Sequence, residues 1–242
     1  MEKYTMTSDN DIMARAKALR EEKASYKPEP VISAEPITLH DIILYDARGK
    51  PAHTYKQVII SGESVRTETE YIYNKPPGWI AYFADKREKL ISLPLLYAVL
   101  ERLVDEKHPA LARLAKDIAS LLCTSTRINY GADTITHNYG ASTAETLRRP
   151  LPDSDTMKNL KGKKTGRNAL QALLMAQDVD KAEETLQKVR NVRPYLWTIN
   201  KESRGADSER AVLVCALPFK LILDCCDYLN YLGRARSVVA EV

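Results

Sequence analysis

Phenylalanine is almost missing from this chain. There are two, Phe83 and Phe219, against thirteen tyrosines among 242 residues. Tyrosine pairs an apolar ring with a polar tip and favours places that are half dry and half wet. Most of the thirteen are assigned to core edges and strands. The others suit a protein interface or a nucleic-acid surface. Cysteine is also sparse, at Cys123, Cys215, Cys225 and Cys226, with no C-x-x-C spacing. That excludes a disulfide framework and a thiolate metal site, and it predicts buried thiols in a reducing, cytoplasmic setting. The polar start of the chain shows no signal or transit peptide. No apolar stretch reaches membrane-span length. The longest, residues 211–232, is broken by Pro218, Lys220, Asp224 and Asp227, so no membrane partner is expected.

Motifs of chemistry are missing too. The four histidines, His40, His53, His108 and His137, have no second ligand at metal spacing, so neither a metal nor a cofactor is expected. Asp133 and His137, with Cys123 or Ser125 as nucleophile, form a hydrolase trio on paper. Such residues are too common for the coincidence to carry weight. No catalytic residue is assigned. The carboxylate pair Asp224 and Asp227 is read as a partner for Arg234, Arg236 or Lys220.

What is present is a concentrated positive charge. The chain holds 36 Lys and Arg against 32 Asp and Glu, a net of +4. Between Arg148 and Arg167 stand seven basic residues and two acidic ones, Asp153 and Asp155. That local excess of five exceeds the excess of the whole chain. The stretch includes two glycines, Gly162 and Gly166, and leads into the helical pattern that begins at Asn168. It is not a nucleotide P-loop, because Lys163-Lys164-Thr165-Gly166 has the wrong order and no strand precedes it. Lysines supply mobile point charges and glycines let backbone N–H groups approach an anion, which suits sequence-independent contact with phosphates. The candidate nucleic-acid-binding residues are Lys158, Lys161, Lys163, Lys164 and Arg167. Tyr195, Trp197, Arg193 and Lys201 downstream, and Tyr130 and Tyr139 upstream, are candidate stacking neighbours. The structurally simpler reading makes Tyr195, Leu196 and Trp197 core anchors.

Periodicity predicts an N-terminal helix over 8–25, a connector through Pro28, Pro30 and Pro36, and strands over 41–45, 55–61, 65–73 and 79–84. Helices are predicted over 90–105 and 109–122, then 167–177, 179–191 and 219–232, with strands over 132–137, 195–199 and 210–217. Residues 148–166 read as a long polar loop. The expected fold is α+β, with an antiparallel sheet in the first half covered by a helical hairpin, and a mainly helical C-terminal half. Residues 1–37 form a reaching arm, 38–147 an α+β domain and 148–242 a mainly helical region carrying the basic loop; the last two can also be one continuous domain. The functional expectation is a non-enzymatic, intracellular binding protein that contacts nucleic-acid backbone within a self-associating oligomer. One alternative is a structural subunit of a shell or filament that uses the arm for subunit contacts. The other is an enzyme without a readable motif.

Overall fold

The computed structural model describes residues 35–46, 48–62, 64, 76–84, 88–138, 144–199, 204, 209–226 and 234–241. These all belong to one compact unit, residues 33–67 and 71–242. The predicted helix at 8–25, almost the whole arm and the predicted strand at 65–73 lie outside the described residues.

Two sheets organise the chain. Strands β1 (Ile37–Tyr45) and β2 (Pro51–Ile60) form an antiparallel hairpin. The smaller sheet is completed by β3 (Lys89–Leu90) and β11 (Ser237–Glu241), in the order β1-β2-β11-β3. The larger sheet holds β4 (Leu122–Asn129), β5 (Thr134–Asn138), β6 (Ala144–Arg148), β7 (Asp155–Thr156), β8 (Arg193–Trp197), β9 (Glu209–Leu217) and β10 (Lys220–Asp224). Its order is β6-β5-β4-β9-β10-β8-β7, and only the β10–β8 pair is parallel.

Six helices are seen among the described residues: α1 (Pro76–Ala84), α2 (Leu93–Asp105), α3 (Ala110–Ile118), α4 (Met157–Lys161), α5 (Lys164–Leu174) and α6 (Val179–Arg190). Ser92 caps α2, accepting the Leu95 N–H at 3.4 Å, and Pro94 sits in the first turn, where its missing N–H has no cost. Residues Leu93 to Leu100 are all buried, because α2 packs on β1 of one sheet, on β4 of the other, and on α5 and α6. The second half of α2 is amphipathic, with Leu103 buried and Arg102 and Asp105 exposed.

The expected fold is therefore corrected. Residues 122–241 carry eight of the eleven described strands, so the C-terminal half is largely sheet rather than mainly helical. The predicted helix at 219–232 begins instead as a turn at Pro218 and Phe219 followed by β10. Leu221, Ile222 and Leu223 are buried on both faces of a central strand, and a short continuous apolar run does not reveal its own period. The first half does not hold a self-contained sheet under a hairpin: its described strands β1–β3 need β11 from the chain's end to join them, and α2 packs on both this sheet and the larger one. The predicted strand at 79–84 is α1. Pro76 and Pro77 start a helix well, and Trp79 and Phe83, four apart, bury one face against Cys123, Ala211 and Leu213.

The C-terminal segment joins the sheets. Arg234 accepts from Cys123 N and donates its own N–H to Leu121 O, and Arg236 O accepts from Ile91 N. Residues from Ser237 onward then enter the smaller sheet between β2 and β3. Asp117 on α3 holds both arginines: its Oδ2 accepts from Arg236 Nε at 2.5 Å and its Oδ1 lies 3.5 Å from Arg234 Nη1. Both arginines thus meet Asp117, while Asp224 of the expected pair accepts from Cys226 N; residue 227 lies outside the described residues.

Candidate functional site

The basic stretch is not a loose loop. Residues 149–154 run into β7, then α4 and α5. Arg204 fastens this approach: Nη1 donates to Leu151 O at 2.9 Å, Nη2 to Pro152 O at 3.2 Å and Nε to Ile199 O at 2.9 Å. Its guanidinium also lies 5.0 Å from the centre of the Tyr130 ring. Ser154 and Thr198 exchange further bonds, with Thr198 N donating to Ser154 Oγ at 2.8 Å and Thr198 Oγ1 donating to Pro152 O at 2.8 Å. Thr156 caps α4 by accepting the Asn159 N–H at 3.2 Å, and Gly162 ends the helix. Lys163 stands at the cap of α5 with no side-chain capping bond.

Gly166 sets how closely α4 and α5 meet. A Cβ built there would stand 2.3 Å from Leu160 O and 2.9 Å from Leu160 C, both backbone atoms. A surface helix Gly→Ala change usually gains up to about 1 kcal/mol. Here the backbone of α4 has to be displaced, so Gly166→Ala is expected to lose roughly 1–3 kcal/mol by overpacking. Urea unfolding of the variant measures it. A gain in stability would mean that the close approach is not real.

The five sequence-predicted cations divide at this corner. Lys161 is held by acids of α6, with Nζ 2.8 Å from Asp180 and 2.5 Å from Glu183. Those hydrogen bonds raise the Lys161 pKa. Arg167 donates to Asp180 at 2.9 Å and to Lys161 O at 3.1 Å, and the pKa of Asp180 is lowered first by Lys161 and then by Arg167. Lys158, Lys163 and Lys164 are exposed and form no ion pair among the described residues.

The sheet brings together Arg193, already a candidate neighbour from the sequence, and Lys220, which the sequence did not assign to the site. β7 runs antiparallel to β8 with Thr156 opposite Tyr195, so the chain entering α4 at Met157 passes the start of β8. β10 runs parallel to β8 with Lys220 level with Arg193. Helix α6, with Lys188 and Arg190 in its last turn, ends three residues before Arg193. One end of the large sheet therefore gathers Lys158, Arg193 and Lys220, all exposed. Tyr195 is half-buried, and Lys220 Nζ lies 4.4 Å from the centre of its ring. Phe219, at the β9–β10 turn, is 79% exposed. Arg193 and Lys220 lie outside the basic run that contains Lys158, so no charge run marks them; only strand order makes them its neighbours. Of the other proposed stacking residues, Trp197 is half-buried on the same face as Tyr195, and Tyr130 is buried with its hydroxyl donating to Cys225 O at 3.0 Å. Lys201 and Tyr139 lie outside the described residues.

The hydrolase trio does not assemble. His137 is fully buried, with Nε2 donating to Ala172 O at 2.9 Å and Nδ1 accepting from Thr126 Oγ1 at 3.1 Å. Thr126 Oγ1 in turn accepts the Leu93 N–H at 3.0 Å, so this histidine ties β5 to α5 and to the start of α2. Burial pushes its pKa down to about 4. Ser125 Oγ donates to Asn138 O at 2.7 Å, Cys123 packs under α1, and Asp133 sits exposed in the β4–β5 turn. Burial raises the Asp224 carboxyl to about 6, against the lowering effect of the Cys226 N–H that it accepts at 2.9 Å. Among the described residues no three His, Cys, Asp or Glu side chains converge to hold a metal ion, and no helix is long and apolar enough to cross a membrane.

No protein-family model matches the chain, and neither a curated protein nor a solved structure does.

Proposed function

We propose that this protein is a non-enzymatic binding protein that contacts the phosphate backbone of a nucleic acid at the α4–α5 corner. The observation that carries the reading is that Lys158, Lys163 and Lys164 stand exposed, with no ion pair among the described residues, on two short helices and the cap between them. The N-terminal end of α5, where Lys163 makes no side-chain capping bond, adds positive potential in the same place. Lys161 and Arg167 shape the corner through Asp180 and Glu183, and their charge is largely answered within the molecule. Contacts of this kind carry little base selectivity and fall off steeply with salt.

The test is the slope of log affinity against log salt for a short oligonucleotide. Each phosphate contact contributes about 0.7–0.9 to that slope. Replacing Lys158, Lys163 and Lys164 together with alanine is expected to flatten it by roughly 2–3 and to weaken binding at low salt. The pair Lys161→Ala and Arg167→Ala is expected to change it much less. Unchanged affinity and slope in the triple variant would end the reading.

A further inference from the structure

We propose that the end of the large sheet beside this corner is a single-strand site, where bases stack on Phe219 and Tyr195 while Lys158, Arg193 and Lys220 hold the adjoining phosphates. The proposal rests on the phosphate-binding reading above and goes further by naming the class of nucleic acid. An exposed phenyl ring at a hairpin tip has no role in this fold's core: Phe219 is 79% exposed. It is the larger of the two exposed large hydrophobic side chains among the described residues, and it stands directly next to a cation, Lys220. Pairing of Lys220 with Arg193 brings a second cation level with the first. The residues that follow Thr156, which pairs with Tyr195, bring Lys158 past the same end.

Rings interleaved with cations fit an unpaired strand better than a duplex. Each unpaired base offers a flat face to an aromatic side chain, whereas bases in a duplex are already stacked on each other. Lys220 lies over the Tyr195 ring at 4.4 Å, an exposed contact of modest strength that a base can take over as the ammonium turns to a phosphate. The carboxylates nearby are engaged. Asp155 Oδ1 accepts from Thr156 N at 2.7 Å and from Asn159 Nδ2 at 2.8 Å. Asp224 accepts from Cys226 N at the far end of β10.

The experiment compares a 15-nucleotide oligothymidylate with a 15-base-pair duplex by fluorescence anisotropy, using the full chain at low salt. The single strand is expected to bind more tightly. Phe219→Ala should weaken single-strand binding about 5- to 150-fold, the worth of one stacked base, and leave duplex binding in place. Arg193→Ala with Lys220→Ala should weaken both. Because Phe219 is exposed, its loss should not unfold the protein, and circular dichroism checks this. If Phe219→Ala leaves single-strand affinity unchanged, or lowers single-strand and duplex affinity equally, the stacking site is wrong while the lysine corner stands. If the substitution alters sedimentation and not oligonucleotide binding, the ring is a protein contact and the proposal is overturned. If the unmodified chain binds neither oligonucleotide, the phosphate-binding reading falls as well.

Discussion

Asp117→Ala is expected to destabilise the protein by about 3–5 kcal/mol, the usual result of stripping the counter-charge from a buried ion pair. Asp117 is 4% exposed, Arg236 2% and Arg234 7%. The carboxylate is bonded by Arg236 and lies beside Arg234, so its removal takes the Asp117 counter-charge away from two buried guanidiniums. Arg236 also donates from Nη1 to Ser61 O at 2.5 Å, at the end of the smaller sheet. The three residues are thus where α3, the smaller sheet and the C-terminal segment are fastened together. Urea unfolding gives the loss directly. A partner variant separates charge from packing: Asp117→Leu combined with Arg234→Met and Arg236→Met is expected to recover most of the stability, because apolar groups of similar volume often replace a buried ion cluster at little cost. If Asp117→Ala unfolds at the same urea concentration as the unmodified chain, the cluster is not what fastens the segment.

Acid should weaken the fold through His137, and the sign follows from its depressed pKa. The unfolded imidazole titrates near 6.5 and the native one near 4. The native state binds fewer protons between those values. The stabilising contribution is complete above about pH 6.5 and is lost as the pH falls towards 4. The gap between those two values corresponds to about 3 kcal/mol. The physical cause is that a second proton would sit on Nδ1, which accepts from Thr126, and the charge would be fully buried. Asp224 acts in the opposite sense. Its raised pKa, about 6, makes ionisation costly in the native state, so its contribution to stability is present below about pH 4 and lost as the pH rises through 6. The two effects overlap and oppose each other, and Asp224→Asn, which keeps an oxygen acceptor for Cys226 N, exposes the histidine. In that background stability is expected to fall by about 3 kcal/mol between pH 7 and pH 4. Adding His137→Gln should flatten the curve over this window. The His137 ring proton resonances should show no titration above pH 5. A midpoint near 6.5 would show that the ring is solvated and that the buried network does not form.

The two buried sites show where local sequence reading stops. His137 alternates with Ile135 on a strand-like run, and that much is local. Its partners come from positions 126 and 172, and nothing in either stretch announces an imidazole. Arg234 and Arg236 are visibly close to the chain's last apolar strand, yet their anion is more than a hundred residues away on α3. The nearer acids, Asp224 and Asp227, are the natural guess because short separations are the only ones a sequence displays.

Periodicity alone was enough for α2, α3 and α6, because each buries a stripe at helical spacing and carries its own end signals: Ser92 and Pro94, Pro109, Asp178 with late Lys188 and Arg190. The concentration of charge at 158–167 was equally plain in the sequence. Strand or helix for the short apolar runs at 79–84 and 219–224, and the pairing of seven late strands into one sheet while the eighth joins the other, were decided only by the tertiary structure. A run buried on both faces has no polar alternation to declare its period, and strand partners are chosen by packing across the chain. The same holds for the site. Lys158 belongs to a visible cluster, whereas Arg193, Phe219 and Lys220 become its neighbours only because β7, β8 and β10 end or begin at one edge of the same sheet.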